Sequence, residues 1–315
     1  MLVGHQKIID YLTRSVFKNQ IAHSYLFYGP KNIGKTSVAQ YFAQTLLCSS
    51  FQKDGDKLIP CQKCEDCQKI AKNIHPDFLY LKGEEMSSLG IDDMRRVKAF
   101  FNLRPVKGKY KIALISEAEK LTEAAINSGL KLLEETAEGG VIILTSSNIN
   151  RFPPTFFSRL QMLRFYPPSK TEIISWLKKQ YPSYYPMAEE LLFFSNLKPG
   201  LISSFLENKT MLSSFKNNLK EAIQFLISSD FEESISFFND QSKLGDKLDS
   251  LLWAVHILIL NKFNPEKTFK SFAGNLNLTD FSSQKLFSKT SKIFASKFYL
   301  ERNVNPNLIS NDLLF

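Results

Sequence analysis

A glycine-rich segment near the start of the chain has the residue types and the spacing that bind polyphosphates. Residues 29–36 read Gly-Pro-Lys-Asn-Ile-Gly-Lys-Thr and match the pattern G-x-x-x-x-G-K-[S/T] of a phosphate-binding loop (P-loop) in full. The apolar run 25–28 precedes the segment and the helix-compatible run 37–47 follows it, which is the strand–loop–helix context that the motif requires. The alternative is a chance glycine turn, and the flanking runs argue against it.

The chemistry that this loop predicts is nucleotide binding. Gly29 and Gly34 allow backbone N–H groups to curl around a polyphosphate, close to the positive potential of a helix N-terminus. Lys35 is placed to reach the outer phosphates, and the hydroxyl of Thr36 is placed to ligate Mg²⁺. We therefore expect the chain to be able to bind ATP with Mg²⁺.

A degenerate second half of the same site follows the apolar run 110–115. Such a run, when it ends in acidic residues, is typical of a buried parallel strand in a P-loop ATPase. The strand normally ends in Asp-Glu, of which the Asp holds the magnesium shell and the Glu polarises the attacking water. Here Ser116 stands at the Asp position and Glu117 at the Glu position. Glu117 is thus a candidate catalytic residue, with a solvated acid after a strand as the alternative.

Another predicted strand, 141–144, is followed by the polar cluster 145–148. Polar groups at the carboxyl edge of a parallel sheet lie where ligands bind, and Ser146 is the candidate nucleotide contact in this cluster. The predicted nucleotide-binding residues are Gly29, Lys31, Asn32, Gly34, Lys35, Thr36 and Ser146.

Three of the four cysteines form the pattern Cys-x2-Cys-x2-Cys, and the fourth ends the run that follows the P-loop. In an intracellular chain such a cluster argues for a metal rather than for disulfides. Four thiolates suit one tetrahedral Zn²⁺ and leave no open position for a catalytic water, so we expect a structural zinc. Free buried thiols or a redox pair are the alternatives. The predicted ligands are Cys48, Cys61, Cys64 and Cys67.

Length and composition limit the class of protein. The chain has 315 residues, of which 43% are hydrophobic and 23% charged, as expected for a globular protein of two or three domains. The most apolar run, 251–260, is too short to cross a bilayer, and no signal peptide opens the chain. We therefore expect a cytoplasmic protein that does not associate with membranes.

The net charge of +9 is concentrated in the first 209 residues. A basic N-terminal part fits a protein that works near nucleic acid, and ordinary solubility is the alternative. Within this part, the amphipathic run 91–101 carries Arg95, Arg96 and Lys98. These side chains are assigned to an exposed helix face, with contact to the DNA backbone as the alternative.

The elements that must position these residues alternate between strand and helix as far as Pro167-Pro168, after which amphipathic helices are predicted. The predicted strands are 25–28, 78–81, 110–115, 141–144 and 160–165, and the predicted helices before the prolines are 1–22, 37–47, 91–101 and 118–135.

Together these motifs resemble the δ′-subunit family of the bacterial DNA polymerase III clamp loader, whose members are AAA+ proteins. No motif except the P-loop is specific alone, but their order and spacing are. Besides the P-loop and the cysteines, the residues that carry the resemblance are 4–6 (Gly-His-Gln), 23–27 (His-Ser-Tyr-Leu-Phe), 75–77 (His-Pro-Asp), 127–135 (Asn-Ser-Gly-Leu-Lys-Leu-Leu-Glu-Glu), 158–159 (Ser-Arg) and 303–306 (Asn-Val-Asn-Pro).

The resemblance implies an α/β fold, a parallel sheet flanked by helices, followed by two helical domains. It places an AAA+ nucleotide-binding domain at 1–166, with the zinc-binding insertion at about 48–75, a helical lid at 167–208 and an all-α collar for oligomerisation at 209–315. Members of the family assemble with δ and the γ/τ ATPase subunits into a heteropentamer. The heteropentamer opens the β sliding clamp and places it on primed DNA without sequence preference.

The resemblance also implies a catalytic role for Arg159. The family carries a Ser-Arg-Cys motif whose arginine, an arginine finger, reaches the ATP site of the neighbouring subunit. Ser158 and Arg159 match the motif, and Leu160 replaces its Cys. An arginine supplied in trans stabilises the charge of the transition state. The alternative is a surface arginine in a salt bridge.

Two departures from the family pattern predict a weak or inactive ATPase, and no polymerase activity is expected. Ser116 replaces the Asp of hydrolysing relatives, and Gly200 stands where catalytic relatives carry a nucleotide-sensing arginine. The chain is then expected to act mainly by donating Arg159 to a neighbour. The rival interpretation is a self-sufficient AAA+ motor subunit of the γ/τ type.

Overall fold

The structure is a computed structural model of the chain, which separates into two compact units, Met1–Ser203 and Ser204–Phe315. The predicted division into three domains remains a prediction. The structure describes residues 2–83, 88–134, 139–227, 244–263, 283–300, 308, 309 and 313.

The N-terminal unit is built on a five-stranded sheet. Its strands are β1 (Ser24–Tyr28), β4 (Phe78–Lys82), β5 (Lys111–Ser116), β6 (Gly140–Ser146) and β7 (Gln161–Arg164). Their spatial order is β4-β5-β6-β1-β7, and all four pairings are parallel. Every residue of β5 and β6 is buried. This burial explains why these strands are continuous apolar runs rather than alternating ones.

Helices cover both faces of this sheet. They are α1 (Gln6–Phe17), α2 (Lys35–Leu47), α3 (Glu65–Ala71), α4 (Ile91–Phe101), α5 (Glu123–Glu134) and α6 (Pro154–Phe157). One apolar cluster contains Leu12 of α1 and Phe42 of α2, and another contains Val97 of α4 and Leu133 of α5. The predicted α/β fold, a parallel sheet flanked by helices, is confirmed.

The prediction of one helix over 118–135 is wrong. A 3₁₀ turn, Ala118–Lys120, is separated from α5 by an extended Leu121. The backbone of Leu89 pairs with this segment, since its N–H donates to the carbonyl of Lys120 and its carbonyl accepts from Thr122, both at 3.0 Å. The hydroxyl of Thr122 then accepts the N–H of Ala125 at 3.2 Å and starts α5. Residue 135 lies outside the described residues.

Two additional strands, β2 (Gln52–Asp54) and β3 (Lys57–Ile59), form an antiparallel hairpin within the cysteine insertion. The regular structure after β7 that the described residues contain is helical: α7 (Lys170–Gln180), a 3₁₀ helix (Pro182–Met187), α8 (Ala188–Ser195), α9 (Pro199–Glu207), α10 (Lys209–Ile227), and the helices Leu244–Phe263 and Ser283–Leu300. The family residues at 303–306 lie outside the part of the chain that is described. Among the described helices, none has the length and apolarity that a bilayer span requires.

Candidate functional site

The P-loop joins the end of β1 to the start of α2 and is held at both ends by glycine. Gly29 has a φ of 146°, and a Cβ on it would lie 2.4 Å from the carbonyl oxygen of Phe165, so no side chain fits there. Its N–H donates to the carbonyl of Ser146 on β6 at 3.1 Å. Gly34, with a φ of 102°, precedes the first turn of α2. The strand–loop–helix arrangement required for phosphate binding is present.

Lys35 is buried in this loop and is held by the loop itself. Its ammonium donates to the carbonyls of Gly29 (2.7 Å) and Pro30 (2.6 Å). Burial lowers the pKa of Lys35 to about 8, against the opposing effect of the Glu119 carboxylate. The two carbonyls therefore hold the lysine at the loop, where its charge is only partly compensated.

Two hydroxyls meet at the point where a hydrolysing relative has a hydroxyl and a carboxylate. Thr36, in the first turn of α2, and Ser116, the last residue of β5, have their side-chain oxygens 3.2 Å apart. Ser116 is buried. The position therefore offers two neutral ligands to a magnesium ion and no carboxylate.

Glu117 adopts a left-handed backbone conformation, with a φ of 55°. Its carboxylate lies 2.8 Å from the ammonium of Lys120, and its N–H donates to the hydroxyl of Thr145 at 3.3 Å. Burial disfavours the ionised carboxylate, but the ammonium of Lys120, together with the charges of Lys82 and Lys31, outweighs burial and holds the pKa of Glu117 below its ordinary value. The carboxylate is therefore ionised at neutral pH and paired.

Glu119 and Ser147 belong to the site, and sequence reasoning missed both. One carboxylate oxygen of Glu119 accepts the N–H of Ser147 at 3.2 Å and also its hydroxyl. The predicted contact Ser146 is buried, and its hydroxyl is bonded within its own turn to Asn148 at 3.1 Å. The polar cluster 145–148 at the end of β6 indicated that a polar side chain lies at this edge of the sheet. It did not indicate which of its two serines would be hydrogen-bonded to Glu119.

These groups surround one cleft of about 210 Å³ at the carboxyl edge of the sheet. Every predicted nucleotide-binding residue except Gly29 lines it. The lining residues are Lys31, Asn32, Gly34, Lys35, Thr36, Ser37, Ser116, Glu117, Glu119, Thr145, Ser146, Ser147 and Gly200.

Gly200, near the start of α9, closes one side of this cleft. Its N–H donates to the carbonyl of Asn32 in the P-loop at 2.8 Å, and a Cβ on it would lie 3.0 Å from the same oxygen. On the other side of the loop, the imidazole of His5 lies 2.6 Å from the carbonyl of Ile33. Burial lowers the pKa of His5. The P-loop backbone is thus held from two sides by elements distant in sequence.

The four cysteines form one cluster. Cys48 directly follows α2, Cys61 and Cys64 precede α3, and Cys67 lies in α3. The Sγ atom of Cys48 lies 3.6 Å from that of Cys61 and 3.8 Å from that of Cys64, and all four lie within 4.8 Å of one another. All are free thiols. A tetrahedral Zn–S₄ centre has sulfur–sulfur separations of about 3.8 Å, so the cluster fits such an ion.

Backbone groups favour the thiolate form of Cys64 in this cluster, whereas burial raises the pKa of Cys48 and of Cys67. The N–H of Cys64 donates to the sulfur of Cys61 at 3.2 Å, and the N–H of Cys67 donates to the sulfur of Cys64 at 3.5 Å. Burial opposes ionisation of Cys64, but the N–H of Cys67 and neighbouring side chains outweigh it and lower the pKa of Cys64 to about 6. Metal binding requires deprotonated thiols, and Cys64 is the thiol of this cluster whose ionisation is favoured.

The hairpin of this insertion is fixed to the first helix by charge. Lys57 on β3 lies 2.8 Å from Asp10 on α1, and Arg14 on α1 lies 3.0 Å from Asp56 in the hairpin turn. The cysteine insertion is therefore joined to the rest of the N-terminal unit through α1 as well as through α2.

Arg159 lies just after α6, away from the lining of the chain's own cleft. Its guanidinium donates from Nε to Glu134 at 2.8 Å and from Nη1 to the carbonyl of Thr155 at 2.6 Å. Its own carbonyl accepts the hydroxyl of Ser24 at 2.6 Å. The side chain is 32% exposed and that of Glu134 is 50% exposed. In the single chain, Arg159 is thus in a partly exposed salt bridge.

The basic residues of α4 are exposed, as predicted. Arg95 pairs with Asp92 at 2.6 Å and Arg96 lies 3.7 Å from Asp93, both one helical turn apart, while Lys98 is exposed. Two of the three cations are therefore engaged on their own helix face.

Comparison with known proteins gives the family. Residues 4–169 match the family described as DNA polymerase III, delta subunit. A DNA polymerase III subunit delta′ from Pseudomonas aeruginosa is 34% identical over 182 residues, which cover 57% of this chain and 54% of that protein. A DNA polymerase III subunit gamma from Buchnera aphidicola is 28% identical over 226 residues, 70% of this chain and 59% of that protein. The chain thus spans less than two thirds of the length of these relatives.

Among solved structures, a DNA polymerase III gamma subunit-related protein from Thermotoga maritima matches over 97% of both chains, with a TM-score of 0.52 and 16% identity. This likeness shows a shared fold and agrees with the parallel sheet flanked by helices that was expected from the sequence. Because the family match covers more than half of the 315 residues, the chain belongs to the DNA polymerase III delta subunit family and is a member of the clamp-loader group of subunits.

Proposed function

We propose that the chain is a δ′-type subunit of a DNA polymerase III clamp loader. In this role it joins δ and the γ/τ ATPase subunits in a heteropentamer, contacts the β sliding clamp, and meets primed DNA through the complex, without sequence preference and in the cytoplasm. The family match and the delta′ relative support the assignment.

The observation that carries the δ′ assignment is the pair of hydroxyls at Thr36 and Ser116. A complete P-loop beside a missing carboxylate favours a chain that binds nucleotide and turns it over poorly. Gly200 adds to this, since no arginine side chain extends from α9 at that position towards the phosphates. Loss of metal support and charge compensation costs several kcal/mol at a phosphoryl-transfer transition state, on the order of 10³-fold or more in rate.

In this proposal Arg159 acts in the site of the neighbouring subunit. It is partly exposed, and its ionic partner Glu134 is half exposed. An exposed ion pair of this kind contributes about 0–1 kcal/mol, so the guanidinium can exchange Glu134 for the phosphates of a neighbour at small cost. The five-donor fork of arginine suits such oxygens.

We also infer a structural Zn²⁺ on Cys48, Cys61, Cys64 and Cys67. The sulfur separations fit a tetrahedral centre, and four thiolates complete its coordination. In this role the metal joins the end of α2 to α3 and takes no part in chemistry.

Reconstitution tests the role. The chain is mixed with the δ, γ/τ and β subunits of one organism, and clamp loading on primed DNA is measured with and without it. The proposal predicts that the chain co-purifies with the ATPase subunits and that loading depends on it. A complex that forms and loads clamps equally well without the chain would contradict the proposal.

The alternative, a γ/τ-type motor, is favoured by the complete P-loop and by the gamma relatives. It predicts that the isolated chain turns over ATP at about 1 s⁻¹ or faster, as ordinary enzymes do. The δ′ proposal predicts turnover far below that rate.

A further inference from the structure

One carboxylate oxygen in the nucleotide cleft is buried and has no hydrogen-bond partner. It is the Oε2 atom of Glu119; the other oxygen, Oε1, is held by the N–H and hydroxyl of Ser147. A buried acceptor without a partner is costly, and more so when it is charged. Such an atom calls for a partner from outside the chain, either an ordered water or a ligand.

The position of Glu119 makes a cation the fitting ligand. Its side chain lines the same cleft as Lys35, Thr36 and Ser116. Among the charged groups that act on Lys35, Glu119 has the largest effect, ahead of Glu117. A carboxylate close to the P-loop lysine is also close to where the outer phosphates of a nucleotide and their metal would lie.

Two basic groups close to the site, Lys35 and Lys120, have other partners. The ammonium of Lys35 is bound to the carbonyls of Gly29 and Pro30, and that of Lys120 lies 2.8 Å from Glu117. When a polyphosphate enters the loop, Lys35 turns to the phosphates rather than to Glu119. The free oxygen is then left for a metal ion.

We propose that Glu119 supplies the carboxylate that this site lacks at Ser116, and that it binds, directly or through one water, the Mg²⁺ of a bound nucleotide. The inference rests on the nucleotide-binding part of the proposed function. Mg²⁺ in nucleotide sites is held by one or two protein oxygens together with substrate phosphates. Thr36, Ser116 and Glu119 provide such a set, and Ser147 fixes the orientation of the carboxylate.

This role supports binding rather than turnover. The Glu119 carboxylate reaches the cleft from the turn after β5, not from the end of β5, and Glu117, the candidate for water activation, is paired with Lys120. A chain with this arrangement retains magnesium-dependent affinity for nucleotide and remains a poor ATPase.

The test is the affinity of the full chain for fluorescent ADP and ATP analogues, measured with Mg²⁺ and in EDTA. The variants are Glu119→Gln and, as a matched control, Glu123→Gln, which changes an exposed glutamate at the start of α5 outside the cleft lining. For the wild type and Glu123→Gln we expect Mg²⁺ to tighten binding at least about tenfold, the effect of one charge-assisted interaction. For Glu119→Gln we expect the gain to fall to about twofold or less, with affinity in EDTA unchanged or improved. Mn²⁺ EPR of the nucleotide complex should show the same loss.

An equal Mg²⁺ gain in the wild type and Glu119→Gln would overturn the inference, as would an equal loss of the gain in Glu119→Gln and Glu123→Gln. A wild type that binds nucleotide without any Mg²⁺ gain, or that binds none, would also overturn it. None of these outcomes affects the proposed action of Arg159, which lies in a neighbour's site and is tested separately. Truncation of the Glu119 side chain is avoided because it would release Ser147; glutamine keeps the shape and the Oε1 contact.

Discussion

The side-chain oxygens of Thr36 and Ser116 lie 3.2 Å apart, at the junction of the P-loop helix and β5. A hydroxyl thus faces a hydroxyl where an active P-loop ATPase sets a hydroxyl against a carboxylate. The loop itself keeps its glycines, its lysine and its helix N-terminus. In the proposed function, nucleotide binding and turnover are therefore separable, and each has its own test.

Nucleotide affinity is expected to fall as pH rises above about 8. The pKa of Lys35 is lowered by burial to about 8 in the free chain. Phosphates bind the protonated lysine, so above this pH binding must also take up a proton, and affinity falls about tenfold per pH unit at most. Titrations between pH 7 and 10 check this. Lys35→Arg stays charged and should lose the pH dependence; an identical pH profile in that variant would exclude Lys35 as its source.

Removal of the metal is expected to loosen the cysteine module and leave the sheet intact. Cys67→Ser should release bound zinc, measured by elemental analysis, and raise hydrogen exchange across residues 52–71. Exchange in β5 and β6, which are buried along their length, should stay slow. Ser50→Ala, an exposed neighbour of Cys48, is the control. Equal loosening of the sheet would show that the metal supports the whole unit.

Two glycine substitutions should have opposite effects on stability. A Cβ at Gly200 would lie 3.0–3.3 Å from Asn32, so Gly200→Ala should lower the free energy of unfolding by about 1 kcal/mol or more. At Gly129, in α5, a Cβ would make ordinary contacts of 3.4 Å or longer. Because alanine favours helices, Gly129→Ala should be neutral or stabilising by about 0.5 kcal/mol. Urea unfolding measures the free energy of unfolding of both variants. Equal changes would mean that a Cβ at Gly200 does not clash with Asn32 of the P-loop.

Glu134→Gln tests whether the salt bridge of Arg159 matters for more than stability. Both side chains are partly exposed, so the free energy of unfolding should change by less than about 1 kcal/mol. If Arg159 acts on a neighbour, its release should leave the turnover of the assembled loader unchanged or raise it. A fall in turnover to the level of an arginine-less variant would instead make Glu134 a required positioning residue.

Features that depend on neighbouring residues in the chain were predictable from the sequence. The apolar runs predicted β1, β5 and β6, because a strand buried on both faces is apolar along most of its length. The spacing of the cysteines gave a cluster whose sulfurs do converge.

Features that depend on contacts between distant residues were not predictable. Glu119 is hydrogen-bonded to Ser147, which lies 28 positions later in the chain. Gly200, in α9, is hydrogen-bonded to Asn32 of the P-loop. The segment before α5 pairs with Leu89, which is distant in sequence, whereas Thr122, which caps α5, was a local signal that the prediction of one helix overlooked. The free oxygen of Glu119 likewise follows from the geometry of the folded cleft and has no local signature.

The ATP turnover of the reconstituted loader, stimulated by clamp and primed DNA, tests the role of Arg159 most directly. It should be compared for the wild-type chain, Arg159→Ala, and Arg104→Ala as an exposed loop control, with assembly checked by gel filtration. We expect Arg159→Ala to assemble normally but to lower the ATP turnover at least about tenfold. An arginine donated in trans can raise the rate of phosphoryl transfer by about 10³-fold or more. Unchanged turnover in an intact complex containing Arg159→Ala would contradict this expectation and leave Arg159 with the structural salt bridge alone.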